Sequence, residues 1–388
     1  MKKYDYSLMA PGPVNLHPEV RRLLSEPMIH HRTPEFDKIL AETLNKIKLV
    51  FKTQEPVYLL TSTGSGGMEA LLVNTLSPGE NVLCLVSGKF GERWAQMAKT
   101  FGLNVEEMII PWGEVVDLDI LEKKLSEKNY TALLTQACET STGVLHPIEG
   151  ISKVLSRLEV KNQYRPLLMI DGITALGALP LPMDAWQIDG LVGGSQKAFM
   201  LPTGMSLLSF SKRAQERFET ARIPRFYFDI RKEQKANAAG ETYFSSNVAL
   251  IKALNFVLSE MATKGIEVLF NENQRRADFT SELMSLLGLK SFAKIRSPSL
   301  TAIQMPEGID GQKVRADLEK KFNITVMGGQ DQAKGKIIRV GHMGYIQDHE
   351  LLHFSEALYE VLQTHGMKLP LEKKELLGKL SHWLKNSL

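Results

Sequence analysis

Seven short apolar runs, each continuous rather than alternating, punctuate the chain between Val57 and Phe210. They are Val57–Thr61, Asn81–Val86, Val105–Ile110, Ala132–Thr135, Leu167–Ile170, Gly190–Gly193 and Met205–Phe210. Amphipathic segments lie between them, among them Gly67–Leu76, Phe90–Phe101, Leu118–Lys128 and Ile148–Leu158. A strand wetted on one side alternates apolar and polar residues, whereas a continuous run is a strand covered on both faces. Such runs joined by helices predict an α/β domain, a mostly parallel sheet wrapped by helices.

Before this region, Pro34–Phe51 carries apolar residues at helical spacing, with Thr33 as N-cap, Pro34 in the first helical position and Glu35 in the first turn. After it, Ser246–Met261 and Glu267–Leu287 read as long helices. A strand (Leu300–Met305), a helix (Gly311–Phe322), a strand (Lys336–Val340) and a helix (Asp348–Leu362) follow. The tail Glu372–Leu388 puts Leu376, Leu377, Leu380, Trp383 and Leu384 on one face and predicts a docking helix, with a membrane-surface helix as the alternative. The expected division is an N-terminal segment (1–30), a large α/β domain (31–260), a smaller C-terminal α+β domain (261–370) and a terminal amphipathic helix (371–388).

A net charge of +3 on 388 residues, with basic residues spread along the chain, points to neither nucleic acid nor a membrane as partner. Cys84 and Cys138 sit in apolar runs and read as small core residues of a reducing compartment. Met1–Asp5 lacks the apolar core of a signal peptide, so the expected location is cytoplasmic. No metal site is expected.

Chemistry concentrates where the runs end. Asp171 closes the Leu167–Ile170 run, and Lys197 follows another in the small-residue loop Gly193–Ala198. A carboxylate at a strand end and a lysine on a nearby small-residue loop are what pyridoxal 5′-phosphate (PLP) requires. The lysine forms a Schiff base with its aldehyde, and the aspartate pairs with its protonated ring nitrogen. Thr61–Ala70 places Gly64, Ser65, Gly66 and Gly67 where a helix begins, an arrangement suited to a phosphate. No Gly-Lys-Ser/Thr follows, and the third glycine of a dinucleotide fingerprint is replaced by Glu69. Phe90, in Gly88–Trp94, is placed to stack on a pyridine ring. Glu139–Gly143 ends a further run with hydroxyls. Arg339 is a charge in an apolar strand, which calls for a planar anion: a substrate carboxylate, or an internal Asp or Glu.

Taken in order, Pro11-Gly12-Pro13, His31–Phe36, Gly64–Ala70, Glu139–Val144, Asp171–Gly177, Ser195–Ala198 and Arg339–Gly344 resemble the fold-type I PLP enzymes. Within them they resemble the class V aminotransferases, above all the alanine–glyoxylate and serine–pyruvate group. The resemblance implies that Lys197 is the Schiff-base lysine and that Asp171 holds the ring nitrogen. It implies that Ser65, Gly66, Gly67 and Gln196 contact the phosphate, that Phe90 stacks on the ring and that Thr140 lies by the phenolic oxygen. Arg339, with Gly12, would receive the substrate. It also implies a homodimer, in which Tyr243 and Ser246 reach the partner's phosphate and the N-terminal segment contributes to site and interface.

The expected activity is transfer of an amino group from alanine or serine to glyoxylate or pyruvate by a ping-pong mechanism. Aspartate or aminophosphonate transamination is the alternative on the same scaffold, with Arg225, Arg231 or His31 as a second anion site. A non-enzymatic subunit of the same fold is the alternative of another class.

Overall fold

The computed structural model describes residues 6–387, so Met1–Asp5 and the final Leu388 of the expected tail helix lie outside the described residues. All seven apolar runs form strands of one sheet. Their order is Val57–Leu60, Ser206–Phe210, Gly190–Gly194, Leu167–Asp171, Ala132–Gln136, Asn81–Val86 and Asn104–Ile109. Ser206–Phe210 runs antiparallel to both its neighbours, and every other pairing is parallel. Two antiparallel steps restore the direction of Val57–Leu60. Six strands therefore end at the same edge, and the loops that leave them collect there.

Alternate side chains serve opposite faces of the sheet. Leu83 and Leu85 pack into a core with Phe36, Leu40, Ile151, Leu155 and Leu254, contributed by the helices Pro34–Phe51, Ile148–Asn162 and Val248–Lys264. Val82, Cys84 and Val86 pack into another with Met68, Leu72 and Trp94, from the helices Gly64–Thr75 and Lys89–Thr100. Both cysteines are buried and free. The one strand that breaks the two-sided expectation is Asn104–Ile109. It lies last in the order, none of its residues is fully buried, and Ile109 is 67% exposed.

A smaller antiparallel sheet, ordered Lys290–Ser291, Leu300–Gln304, Ile337–Gly341 and Met327–Gly328, packs against helices of the C-terminal third. The helix Ile266–Leu287 joins the two units: Ile266 and Phe270 belong to the larger core, Phe279, Leu283 and Leu287 to the smaller. The N-terminal segment crosses between them as well. Ser7–Leu8 pairs parallel with Ile324–Thr325, and Met9 accepts a hydrogen bond from Gly341 N at 2.7 Å, before Pro11–Pro13 reach the edge of the large sheet. The tail helix, Lys373–Asn386, buries Leu376, Leu380 and Leu384 and sets Trp383 edge-on against Phe279. Its apolar face is thus covered by the smaller core, and no described helix is long and apolar enough to cross a membrane.

Candidate active site

Asp171 ends its strand buried, one carboxylate oxygen accepting from Ile173 N at 2.9 Å. Lys197 is carried by a tight loop. Ser195 Oγ donates to the Pro202 carbonyl and accepts from Met205 N, while Met200 N returns to the Lys197 carbonyl. The lysine is buried, and its Nζ donates to the Pro11 carbonyl at 2.5 Å. Burial removes solvation from both charges, so the Asp171 carboxyl is pushed up to about 6 and the Lys197 ammonium drawn down to about 8. Each group lowers the cost of the other's charge, but burial outweighs that attraction.

Gly12 explains why the N-terminal crossing matters. Its φ is +128°, and a Cβ there would fall 2.4 Å from Lys197 Nζ. Only glycine lets the backbone lie against the lysine's end.

The helix after Val57–Leu60 begins at Gly64, three residues before the expected Gly67, so the glycine loop is its first turn. Thr63 is the N-cap but makes no side-chain cap hydrogen bond. Gly66 and Gly67 N–H both reach back to the Thr63 carbonyl, leaving the Gly64 and Ser65 amides as the donors without an intrahelical acceptor. Gly67 faces the sheet, where a Cβ would meet Val192 at 2.5 Å and Ser206 at 2.9 Å. Gln196, beside the lysine, keeps its amide oxygen buried without a hydrogen-bond partner. Ile173, which the sequence did not single out, packs so closely that a Cβ on Gly64 would lie 2.4 Å from it.

Phe90 is placed by a carboxylate that the sequence named only within a motif. Glu139, fully buried, accepts from the N–H groups of Phe90, Gly91 and Ser141, and from Ser141 Oγ. It thereby caps the helix Lys89–Thr100 in place of its glycine N-cap. A Cβ on Gly88 would collide with Ser141 Oγ and the Glu139 carboxyl, so glycine is needed there too. Thr140 Oγ1 bonds Thr174 Oγ1 at 2.7 Å, tying this turn to the one after Asp171.

Arg339 comes from the smaller sheet. Its Nε donates to the Gly328 carbonyl at 3.0 Å and one terminal nitrogen to the Thr140 carbonyl at 2.9 Å. Among the described residues no Asp or Glu forms an ion pair with it, so the internal-partner explanation finds no support. Burial lowers its guanidinium to about 10, opposed by the charge of Glu139, and it remains a cation at neutral pH.

The arrangement thus joins a lysine and a carboxyl that titrate within about a unit of pH 7, donors suited to an anion, and a fixed cation with a free face. Asp171, Lys197, Ser65, Phe90, Thr140, Gln196 and Gly12 gather at one edge of the sheet, and Arg339 is brought to Thr140 across the junction of the two units. Tyr243 and Ser246 line a cavity with Leu60 and Thr61, where the first strand of the sheet runs into the glycine turn. Tyr243 is 42% exposed within an aromatic group with Phe244, Tyr227 and Phe226, and Ser246 Oγ is buried without a hydrogen-bond partner. Two of the three residues named for a second anion site already have partners. Arg225 is spent on the Val73, Phe218 and Ala221 carbonyls, and Arg231 on Asp229 and Glu219. The His31 ring lies 4.4 Å from that of His30, tilted to it, and beside Arg32.

A sheet, a loop lysine and a strand-end aspartate of this kind fit the PLP-dependent fold type I, and comparison with known proteins gives the family within it. Residues 17–354 match the family model "Aminotransferase class-V", and the chain belongs to that family. It is a transaminase by that membership. The "Soluble hydrogenase 42 kDa subunit" of Anabaena cylindrica is 37% identical over 364 residues, 92% of this chain and 94% of that one. The "L-aspartate--glyoxylate aminotransferase" of Paracoccus denitrificans is 36% identical, over 88% of this chain and 87% of that one. The structure of an alanine–glyoxylate aminotransferase from Nostoc sp. superposes with a TM-score of 0.87 at 30% identity, covering 93% and 96% of the two chains. Class V aminotransferases in general depend on PLP.

Proposed function

We propose that this chain binds PLP and moves the amino group of a small L-amino acid, alanine or serine, to glyoxylate or pyruvate. The observation that carries the reading is the buried Lys197–Asp171 pair, drawn toward neutrality from both sides, with an Arg339 fork that no internal carboxylate occupies. The residues suit the cofactor. The uncapped Gly64 and Ser65 amides and Ser65 Oγ would hold its phosphate, Phe90 and Ile173 would flank its ring, and Asp171 would face its ring nitrogen. PLP when bound supplies an aldehyde that takes up amino groups and a ring that withdraws electrons.

The chain's own groups do the rest. Lys197, with its ammonium lowered to about 8, gives up its proton near neutral pH and can take one from the substrate's α-carbon. The Pro11 carbonyl orients its Nζ, and Gly12 leaves room for that end to swing. Arg339 grips the α-carboxylate bidentately, which fixes the α-carbon relative to Lys197. One pocket serves both the amino acid and the 2-oxo acid, so the kinetics are ping-pong.

Aspartate as donor is the second reading, favoured by the Paracoccus relative. Against it stands the engagement of Arg225 and Arg231 elsewhere, which leaves neither for a side-chain carboxylate. The exposed group of Phe226, Tyr227 and Tyr243 supports a homodimer in which this patch is covered and Tyr243 and Ser246 approach the partner's phosphate. A monomer in sedimentation equilibrium would remove that shared site. A screen of twenty amino acids for loss of the cofactor's visible band tests the donor. Alanine and serine should bleach it fastest, and faster bleaching by aspartate would transfer the assignment.

A further inference from the structure

Arg93 lies one turn after Phe90 on the helix Lys89–Thr100 and has no role in the site as described so far. Its guanidinium sits 4.7 Å from the centre of the Phe90 ring, and one terminal nitrogen donates to Ser65 Oγ at 3.1 Å. Among the described residues it forms no ion pair with any Asp or Glu, although Glu92 is its neighbour in sequence and pairs instead with Lys89. Its charge is also felt at Asp171 and at Lys197. An arginine held by a ring face and a hydroxyl, with no anion of its own, keeps most of its fork available.

The anion that would fill it follows from the position. The Gly64 and Ser65 amides and Ser65 Oγ are neutral donors, and a phosphate at this point carries close to two negative charges. Lys197 Nζ is directed to the Pro11 carbonyl, and the Arg339 guanidinium to the Gly328 and Thr140 carbonyls. Arg93 is the cation whose guanidinium already touches the loop.

We propose that Arg93 is the cationic arm of the phosphate cradle: its guanidinium, steadied by Phe90 and Ser65, pairs with the phosphate of bound PLP. This rests on the proposal that the chain binds PLP. It adds that affinity for the cofactor depends on a residue of the helix Lys89–Thr100 as well as on the glycine turn.

Titrating the cofactor-free protein with PLP and, separately, with pyridoxal, which lacks the phosphate, tests this through dissociation constants rather than turnover. Arg93→Gln should weaken PLP about 10- to 100-fold, the loss of one charge-assisted hydrogen bond. Pyridoxal affinity should stay within about twofold, because the lost partner is the phosphate. Arg93→Lys, which keeps the charge, should recover most of the loss. Equal weakening of PLP and pyridoxal would overturn the proposal and make Arg93 a support for Phe90. Unchanged PLP affinity would overturn it as well. Failure of the wild type to bind either compound at Lys197 would instead overturn the cofactor reading, and this one with it.

Discussion

The two ends of the site are both buried, yet burial leaves only one of them able to titrate near neutral pH. At the sheet edge, Asp171 and Lys197 have one side-chain hydrogen bond apiece, and loss of water draws them to about 6 and about 8. In the smaller sheet, Arg339 meets two carbonyls and the field of Glu139, and it stays a cation with a value of about 10. The difference lies in where each group starts: burial lowers both cations by a similar amount, from 12.5 for the guanidinium and from 10.5 for the ammonium, so only the lysine is brought toward the neutral range. One end can therefore exchange protons near neutrality, and the other can only hold. Chemistry and grip are separated in space and in electrostatics.

That separation predicts a ranking of substitutions. Lys197→Ala should cost the most, lowering multiple turnover by more than about 10⁴-fold, because proton transfer and attachment are lost together. It should leave PLP bound without a covalent link, which spectra of the dialysed protein would reveal. Asp171→Asn should cost about 10³-fold in kcat while retaining the cofactor, since an amide cannot stabilise a protonated ring nitrogen. A loss under tenfold would mean that another acid faces the ring.

Arg339→Lys tests the other end. KM for both the amino acid and the 2-oxo acid should rise about 10- to 100-fold, because lysine keeps the charge but not the fork. Amines without a carboxylate should be unaffected, and equal losses for both kinds of substrate would erase the distinction between the two ends. Gly12→Ala should have the smallest effect, slowing the reaction of Lys197 with PLP about tenfold through steric pressure on Nζ. Rapid-mixing absorbance measures it, and an unchanged rate would mean that the Pro11–Pro13 crossing yields easily.

The contrast also marks where sequence reasoning succeeds. Asp171 and Lys197 stand at the ends of continuous apolar runs, and a run that is a strand puts its last residue at a sheet edge whatever the rest of the chain does. The strands, the helix Gly311–Phe322 and the docking tail helix were legible for the same local reason. Asn104–Ile109 departs from the two-sided expectation because edge position belongs to the sheet, not to the segment. Glu139 escaped a role because it acts on a helix about 50 positions away in the chain, bonding the Phe90 and Gly91 amides. The Arg93–Ser65 contact and the engagement of Arg225 and Arg231 likewise depend on tertiary neighbours that no local pattern records.

The central claim is that Lys197 is the amine made reactive by burial, and trapping it decides the matter. Cofactor-free protein would be mixed with PLP at a series of pH values, reduced with borohydride, digested and mapped by mass. The label should fall on Lys197, and its initial rate should rise with pH and level off above about 8. The sign follows from the burial-lowered ammonium, which is mostly deprotonated above that value, whereas an ordinary lysine would keep gaining reactivity toward 10.5. Label on any other lysine, or a rate at Lys197 that keeps climbing toward 10.5, would contradict it.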